Sequence, residues 1–308
     1  MVDKYVDIAV GIISYNQEDV ISRSLDSILS QKEFGLKKVY VCDDCSKDKT
    51  QVVVGEYEKK YPNLVVLCPN EKNLGIYGNM AVMQERLKKS QEDLIMFVSG
   101  DDALCEGFFA ALQKCIADNN IDCKRERVAI YGDWKVIKPS GREIVVKQDC
   151  VLSGEPVLDL HIKGKLLNRS SAISKPCLMA FNSYPLDKGI AVAEVFCDLQ
   201  RKIHADRNFY VPIIGSVYYS GIGFSTKMNT TKYIRERLEA RELTLQSFEL
   251  EKTTVHYLRS QIFLLSFRLN RCFSYYFRAL WHYILSRPKL TFRQFLAQVK
   301  SWFLVMFR

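Results

Sequence analysis

Two acidic clusters carry residue types that could do chemistry: Asp43-Asp44-Cys45-Ser46-Lys47-Asp48 and Ser99-Gly100-Asp101-Asp102. Each directly follows a short apolar run that reads as a β-strand, Lys38 to Asp43 and Leu94 to Ser99. Carboxylates crowded at a strand end repel one another unless hydrogen-bond donors or a cation compensate them. A hard divalent ion meets that need, because Mg²⁺ takes one or two protein carboxylates and fills the rest of its shell with substrate phosphates and water. The pattern points to a phosphate-bearing ligand held through a metal. Taken singly, either cluster is also ordinary turn and helix-cap chemistry.

The elements that must position these clusters alternate along the first hundred residues. Strands are expected at Asp7 to Ser14, Lys38 to Asp43, Leu64 to Leu67 and Leu94 to Ser99, with amphipathic segments between them. Asn16 reads as the cap of a helix whose Ile21, Leu25, Ile28 and Leu29 recur at helical spacing, and Lys49 to Lys60 and Gly78 to Lys89 repeat the pattern. This is an α/β fold with a mostly parallel sheet, and such sheets bind ligands at the carboxyl ends of their strands. Farther on, Val128 to Val136 reads as a strand, Pro139-Ser140-Gly141 as a turn and Arg142 to Lys147 as the antiparallel return. Ala191 to His204 reads as a helix, Gly215 to Gly223 as a Gly-rich stretch, and about Thr231 to Ser286 as long helices before a last amphipathic piece from Leu290 to Phe307.

Charge divides the chain. After Glu251 there is no Asp or Glu, while Lys252, Arg259, Arg268, Arg271, Arg278, Arg287, Lys289, Arg293, Lys300 and Arg308 carry positive charge; the first 251 residues hold 34 cations against 35 acids. The basic residues alternate with aromatics such as Phe263, Phe277, Trp281 and Trp302. Basic heads on aromatic bodies suit a helix lying on an anionic lipid surface. Packing of the same aromatics against the body or a second copy, a homo-oligomer through the C-terminal helices, is the plainer alternative. No apolar run reaches the ~18 residues of a bilayer span, and the start MVDKYVDIAV lacks a signal peptide's basic flank and apolar stretch. A cytoplasmic protein peripheral on the inner face of the cell membrane is expected, with its ten cysteines as thiols rather than disulfides. Cys42 and Cys45 form a C-x-x-C pair, but no second pair or nearby His completes a zinc site. The four histidines share no ligand spacing and read as structural.

Four motifs in order, the strand ending in Ser14-Tyr15-Asn16, Asp43-Asp44-x-Ser46-x-Asp48-x-Thr50, Asn73-x-Gly75-x-x-x-Asn79 and the strand ending in Asp101-Asp102, resemble glycosyltransferase family 2. The resemblance implies a Rossmann-like GT-A fold, with a catalytic domain over residues 1–226 and a helical basic-aromatic region over 227–308. The nucleotide-binding half would run to about 103 and the acceptor half from about 104. It further implies a nucleotide-sugar donor, of UDP type, contacted by Ser14, Tyr15, Asn16, Asp43, Asp44, Asn73, Gly75, Asn79, Asp101 and Lys227. Mn²⁺ or Mg²⁺ would be held by Asp102 and Asp101, although Ser99 stands where many relatives have a further Asp.

The family inverts the anomeric centre and needs a base, which the resemblance places at Glu194, with Asp198 as the alternative. Ser225 and Lys227 would belong to a loop closing over the diphosphate. Asp133, after a strand and before Trp134, reads either as a contact to the acceptor sugar, on which Trp134 stacks, or equally as a strand-end Asp beside a core Trp. No QxxRW pattern of processive members is present, so a single sugar is added, to a glycan or a polyprenyl-diphosphate-linked acceptor of surface polysaccharide such as lipopolysaccharide or capsule. Two rivals stand beside this reading. A Mg²⁺-dependent nucleotidyltransferase would need a Gly-rich basic triphosphate loop, which Gly11-Ile12-Ile13-Ser14-Tyr15-Asn16 does not supply. A non-catalytic polyanion binder would use the tail, where anionic lipid is preferred and no nucleic-acid partner is expected.

Overall fold

The computed structural model describes residues 5–155, 157–162, 169–181, 205–222, 230–247, 250–270 and 272–286. Strand β1 (Ile8–Ser14) lies between β2 (Leu36–Asp43) and β4 (Leu94–Ser99), with β3 (Val65–Pro69) outside β2, all parallel. Between them run helices α1 (Ile21–Leu29), α2 (Thr50–Lys60) and α3 (Gly75–Lys89). Short β5 (Ala103–Leu104) and α4 (Phe108–Asp118) follow, then β6 (Val128–Ile137), β7 (Glu143–Val146), α5 (Val157–Ile162), β8 (Ser171–Ser174), α6 (Lys175–Met179) and β9 (Arg207–Tyr219). The strand order is β3-β2-β1-β4-β8-β6-β9-β5, with β7 on β6. β8 runs antiparallel to both β4 and β6 and so joins the parallel half to the rest.

Alternation along β1 sorts its side chains between two cores. Ile8, Val10 and Ile12 pack with Ile21, Leu25 and Ile28 of α1 and Phe108 and Phe109 of α4. Ala9 faces the other way, with Met83 and Leu87 of α3. A fully buried Ile or Leu is worth about 1.5–3 kcal/mol, so these two layers fix the register of the central strand. Gly11 lets α3 sit close, since a Cβ there would lie 2.7 Å from Met83 Sδ.

Two expected elements are corrected. Asn16 does not cap α1, which starts at Ile21; Asn16 has φ of +50° and its Oδ1 accepts the Lys47 N–H, so its side chain serves the loop after β2 instead. The Gly-rich stretch begins inside a strand, because β9 runs on to Tyr219. Gly215 is there because Phe108 packs on it, at 2.6 Å from where a Cβ would stand. The helix at 191–204 and the piece at 290–307 lie outside the described residues.

The chain separates into two compact units, Met1–Lys227 and Met228–Arg308. The second contains α7 (Thr230–Ser247), α8 (Lys252–Asn270) and α9 (Phe273–Leu285). Helix α9 returns along α8, with Phe267 against Tyr276 and, farther along, His256 Nδ1 at 2.9 Å from His282 Nδ1. Phe263 stacks on His282, and Arg278 lies over Phe263. Burial pushes both imidazoles below their ordinary pKa, helped at His256 by Arg259 and Lys252 and at His282 by His256 and Arg259. A base with a lowered folded pKa stabilises the fold above its unfolded value, about 6.5, and loses that contribution as pH falls through the folded value. Protection factors of the amides in α8 and α9, which correct for the intrinsic pH dependence of exchange, should therefore fall between pH 7.5 and 5.5, and His282→Asn should flatten that dependence. Equal protection factors at the two pH values would contradict the coupling.

Candidate active site

The ends of β2 and β4 are tied to consecutive residues of β1. The Asp44 N–H donates to the Ser14 carbonyl at 2.9 Å, and the Gly100 N–H donates to the Ile13 carbonyl at 3.0 Å. Both acidic loops thus leave the same edge of the sheet on either side of β1, separated by two strand spacings, about 10 Å. Gly100 makes that approach possible, because a Cβ would meet Gln17 Oε1 at 2.2 Å and Ile21 Cδ1 at 2.7 Å.

Within the first loop the two neighbouring aspartates do different work. Asp43 is buried, and its carboxylate accepts from Ser14 Oγ at 3.1 Å, the Ser46 N–H at 2.8 Å, the Ser46 hydroxyl and Gln51 Nε2 at 2.7 Å. That carboxylate organises the loop. Asp48 accepts from the Glu18 N–H and from the N–H and hydroxyl of Thr50, and the Asn16 N–H donates to Ser46 Oγ at 2.9 Å. Asp44 is also buried, but among the described residues its side-chain bonds, from the Leu74 N–H at 2.7 Å and Asn70 Nδ2 at 3.1 Å, fall on Oδ1 alone.

The third motif supports Asp44 from behind. Asn73 Nδ2 donates to the Asp44 carbonyl at 3.2 Å while its Oδ1 accepts the Gly75 N–H, and Gly75 turns into α3 with φ of +73°, where glycine carries no steric penalty. Buried Asn79 donates to the Cys42 carbonyl at 2.8 Å and accepts from Asn70, fastening the loops to the ends of β1 and β2. Tyr15, 43% exposed, is a free aromatic face at this edge. Cys42 is a core residue and Cys45 sits in the loop with φ of +59°, so the C-x-x-C pair is divided between core and turn.

Asp101 and Asp102 form the other wall. Burial raises the Asp101 carboxyl above the usual range, against the pull of Arg169 and Arg23. Arg23 Nη2 donates to the Asp101 carbonyl at 2.7 Å and its guanidinium covers Tyr219 at 3.5 Å. Arg169 Nη1 stands 3.3 Å from Asp102 Oδ2. The donor set, a buried carboxylate beside a largely buried one that already has a cationic group against it, fits a hard divalent ion. Among the described residues no three His, Cys, Asp or Glu side chains gather. An ion here would take only these two carboxylates and leave its other positions to phosphate and water, the usual habit of Mg²⁺.

Asp133 requires a correction. It lies inside β6 rather than past a strand, at a bulge against β9, and is fully buried. Lys147 Nζ at 2.7 Å, the Gln148 N–H at 2.9 Å and the Tyr210 hydroxyl at 2.9 Å occupy its carboxylate. Its role in this fold is to close the β6–β7 and β6–β9 junctions. Trp134 is buried too, edge-on to Tyr218 at 6.4 Å. Glu194, Asp198, Ser225 and Lys227 lie outside the described residues. Arg23 and Arg169 were missed from sequence, whereas Tyr218 and Tyr219 fell inside the Gly-rich stretch without a role of their own. Arg23 lies on α1 and Tyr218 and Tyr219 close β9, where each reads locally as an ordinary helix or strand residue.

Residues 9–181 match the sequence profile of glycosyl transferase family 2, more than half of the chain. The chain belongs to this family. The dTDP-rhamnosyl transferase RfbG of Shigella flexneri is 28% identical over 183 residues, 59% of this chain and 60% of that protein. The chain spans less than two thirds of the length of the curated relatives it matches. Among solved structures, S. aureus TarS 1-349 in complex with UDP-GlcNAc superposes with a TM-score of 0.59 at 15% identity, covering 97% of this chain and 81% of that one. A mannosyltransferase from Pyrobaculum calidifontis in complex with GDP-Man and Mn²⁺ gives 0.55 at 13% identity over 98% of this chain and 81% of that one. At those identities the likeness establishes the GT-A fold. A shallow groove bounded by Tyr40, Glu85, Arg86 and Lys89 lies toward the far end of α3 and takes no part in the site.

Proposed function

We propose that this glycosyltransferase moves one sugar, with inversion, from a UDP-type nucleotide sugar to a glycan or lipid-linked acceptor of a cell-surface polysaccharide. The observation that supports the reading is the tethering of both acidic loops to consecutive residues of β1, Ser14 and Ile13, at one edge of the sheet. Asp44 Oδ2 accepts the imide N–H of the base, Tyr15 stacks on the base, and Asp101 and Asp102 hold Mg²⁺ or Mn²⁺ against the diphosphate. Bound there, the ion neutralises charge developing on the leaving diphosphate. Glu194 or Asp198 takes the proton of the acceptor hydroxyl. Asp43, Asn73, Gly75 and Asn79 hold the pocket's shape rather than the donor itself.

Uracil and thymine present the same imide, so Asp44 alone does not separate UDP from dTDP donors. A panel of UDP-, dTDP-, GDP- and CDP-sugars, read by thermal stabilisation and by Mn²⁺-dependent release of nucleotide, tests the assignment. Stabilisation by uridine or thymidine donors is expected. Response to none of them, or to GDP- and CDP-sugars alone, would refute it.

The tail provides the attachment to the inner membrane surface. Phe273, Phe277, Trp281 and Leu285 recur every fourth residue on α9 and are 60%, 64%, 61% and 37% exposed. Arg268 and Arg278 are exposed nearby, and no acid follows Glu251. Two copies meeting on this face would juxtapose like charge, whereas an anionic bilayer offers opposite charge and an apolar layer. Among the described residues no helix is long and apolar enough to cross a membrane. Co-sedimentation with phosphatidylglycerol vesicles should exceed that with phosphatidylcholine vesicles, fall in high salt, and drop about tenfold or more in Phe277→Ser/Trp281→Ser, given the apolar area of two aromatics. Equal sedimentation of variant and parent, or a dimer that dissociates in the variant, would overturn the lipid assignment.

A further inference from the structure

Arg169 belongs to none of the four motifs, yet it is placed with care. Its backbone is fixed next door: Ser170 Oγ lies 2.7 Å from Ser216 Oγ, both buried, and the Ser170 carbonyl accepts the Gly132 N–H at 2.8 Å. Its guanidinium lies over the Tyr218 ring at 3.8 Å and near the Trp134 ring at 5.3 Å. These rings come from β9 and β6, where Val136 pairs with Tyr218 and Trp134 with Ser216, and β9 pairs with β5 just after Asp102. Cation–π attraction therefore holds the guanidinium whether or not the carboxylate does.

The ion pair itself is loose. A strong Arg–carboxylate bond is 2.7–2.9 Å and often bidentate, whereas Arg169 reaches Asp102 through one nitrogen at 3.3 Å, with 31% of its side chain exposed. Such a pair is readily surrendered. Beside it, the buried Trp134 indole N–H has no acceptor among the described residues. A cation and an unused donor side by side suit an anion, and Asp102 is the carboxylate assigned above to the divalent ion.

We propose that Arg169 is a positioning residue that shares Asp102 with the divalent cation. While no cation is bound, the guanidinium neutralises the carboxylate. When the cation takes Asp102, the guanidinium stays over Tyr218 and its charge serves the donor's diphosphate. No bond is made or broken. The proposal rests on the reading of Asp102 as a metal ligand and goes beyond it in naming what competes for that ligand.

Competition has a signature that structural damage does not imitate. Removing Arg169 should tighten Mn²⁺ binding, whereas loosening the fold can only weaken it. Mn²⁺ titration of the full chain without donor, followed by electron paramagnetic resonance, should show about three- to tenfold tighter binding in Arg169→Gln, the scale of a partly exposed ion pair. UDP binding at saturating Mn²⁺ should fall about tenfold in the same variant, as for loss of one charge-assisted contact. Arg169→Lys, which keeps charge but stacks less well, should lie between parent and Gln on both scales and serves if the Gln variant does not fold. Mn²⁺ binding abolished in Asp102→Asn but equal or weaker than parent in both Arg169 variants would overturn this inference alone. Unchanged binding in Asp102→Asn would overturn the cation site and this inference with it.

Discussion

Asp102→Asn is expected to lower kcat/KM for sugar transfer by about a thousandfold while the protein melts within a few degrees of the parent, because a transition-state electrostatic contact is lost and little packing is. The Asp102 side chain is 13% exposed and its partner Arg169 is held independently by Tyr218, so the substitution leaves no isolated buried charge. The loss should appear in kcat as well as KM, since charge on the leaving diphosphate grows only in the transition state. Transfer or donor hydrolysis at parental rate would remove Asp102 from the chemistry.

Asp44→Ala should have the second-largest effect, and on two scales at once. The Leu74 N–H and Asn70 Nδ2 both donate to Asp44 Oδ1 inside a buried loop. Two stranded donors cost about 1–3 kcal/mol each, so both stability and the shape of the pocket suffer. Asp44→Asn separates the effects. Its amide oxygen can still accept from Leu74, so stability should largely return, but its NH₂ would confront the imide N–H of uracil, donor against donor. Uridine nucleotide binding should then weaken by about 30- to 100-fold, the worth of a charge-assisted bond. Cytidine, whose N3 accepts, should lose far less. Equal losses for the two nucleotides would mean that Asp44 does not read the base.

Both arguments depend on how the acidic loops are placed, and that placement was legible. Ile8 to Ser14, Leu36 to Asp43 and Leu94 to Ser99 are apolar runs whose strand character is local, and βαβ order then forces their carboxyl ends to one edge. What local pattern could not show is the division of labour at that edge. Asp43 and Asp44 are the same residue type in adjacent positions. Which one is consumed by Ser14, Ser46 and Gln51 is settled by side-chain direction at the end of β2. The same holds for Asn16, whose cap-like position before α1 is outweighed by a partner 31 residues away.

The second half of the sheet was less legible because its contacts are remote in sequence. Asp133 was read as a strand-end acid; β6 runs on to Ile137 and buries it, with Tyr210 arriving from β9. Glycine misled for a related reason. Gly132 and Gly215 make room for Phe108, and nothing in their own neighbourhood announces that ring. Arg169 meets Asp102 across 67 residues through β8, antiparallel to β6, and β9, parallel to it, a pairing that no motif at either end encodes.

The most direct test is calorimetric titration of UDP into the parent and Asp102→Asn, with and without Mn²⁺. Binding that Mn²⁺ strengthens in the parent but not in the variant, with a metal-independent remainder common to both, is the expected result. Binding of UDP unaffected by Mn²⁺ in either protein, or no binding of UDP at all, would show that Asp44 and Asp102 do not together hold a nucleoside diphosphate.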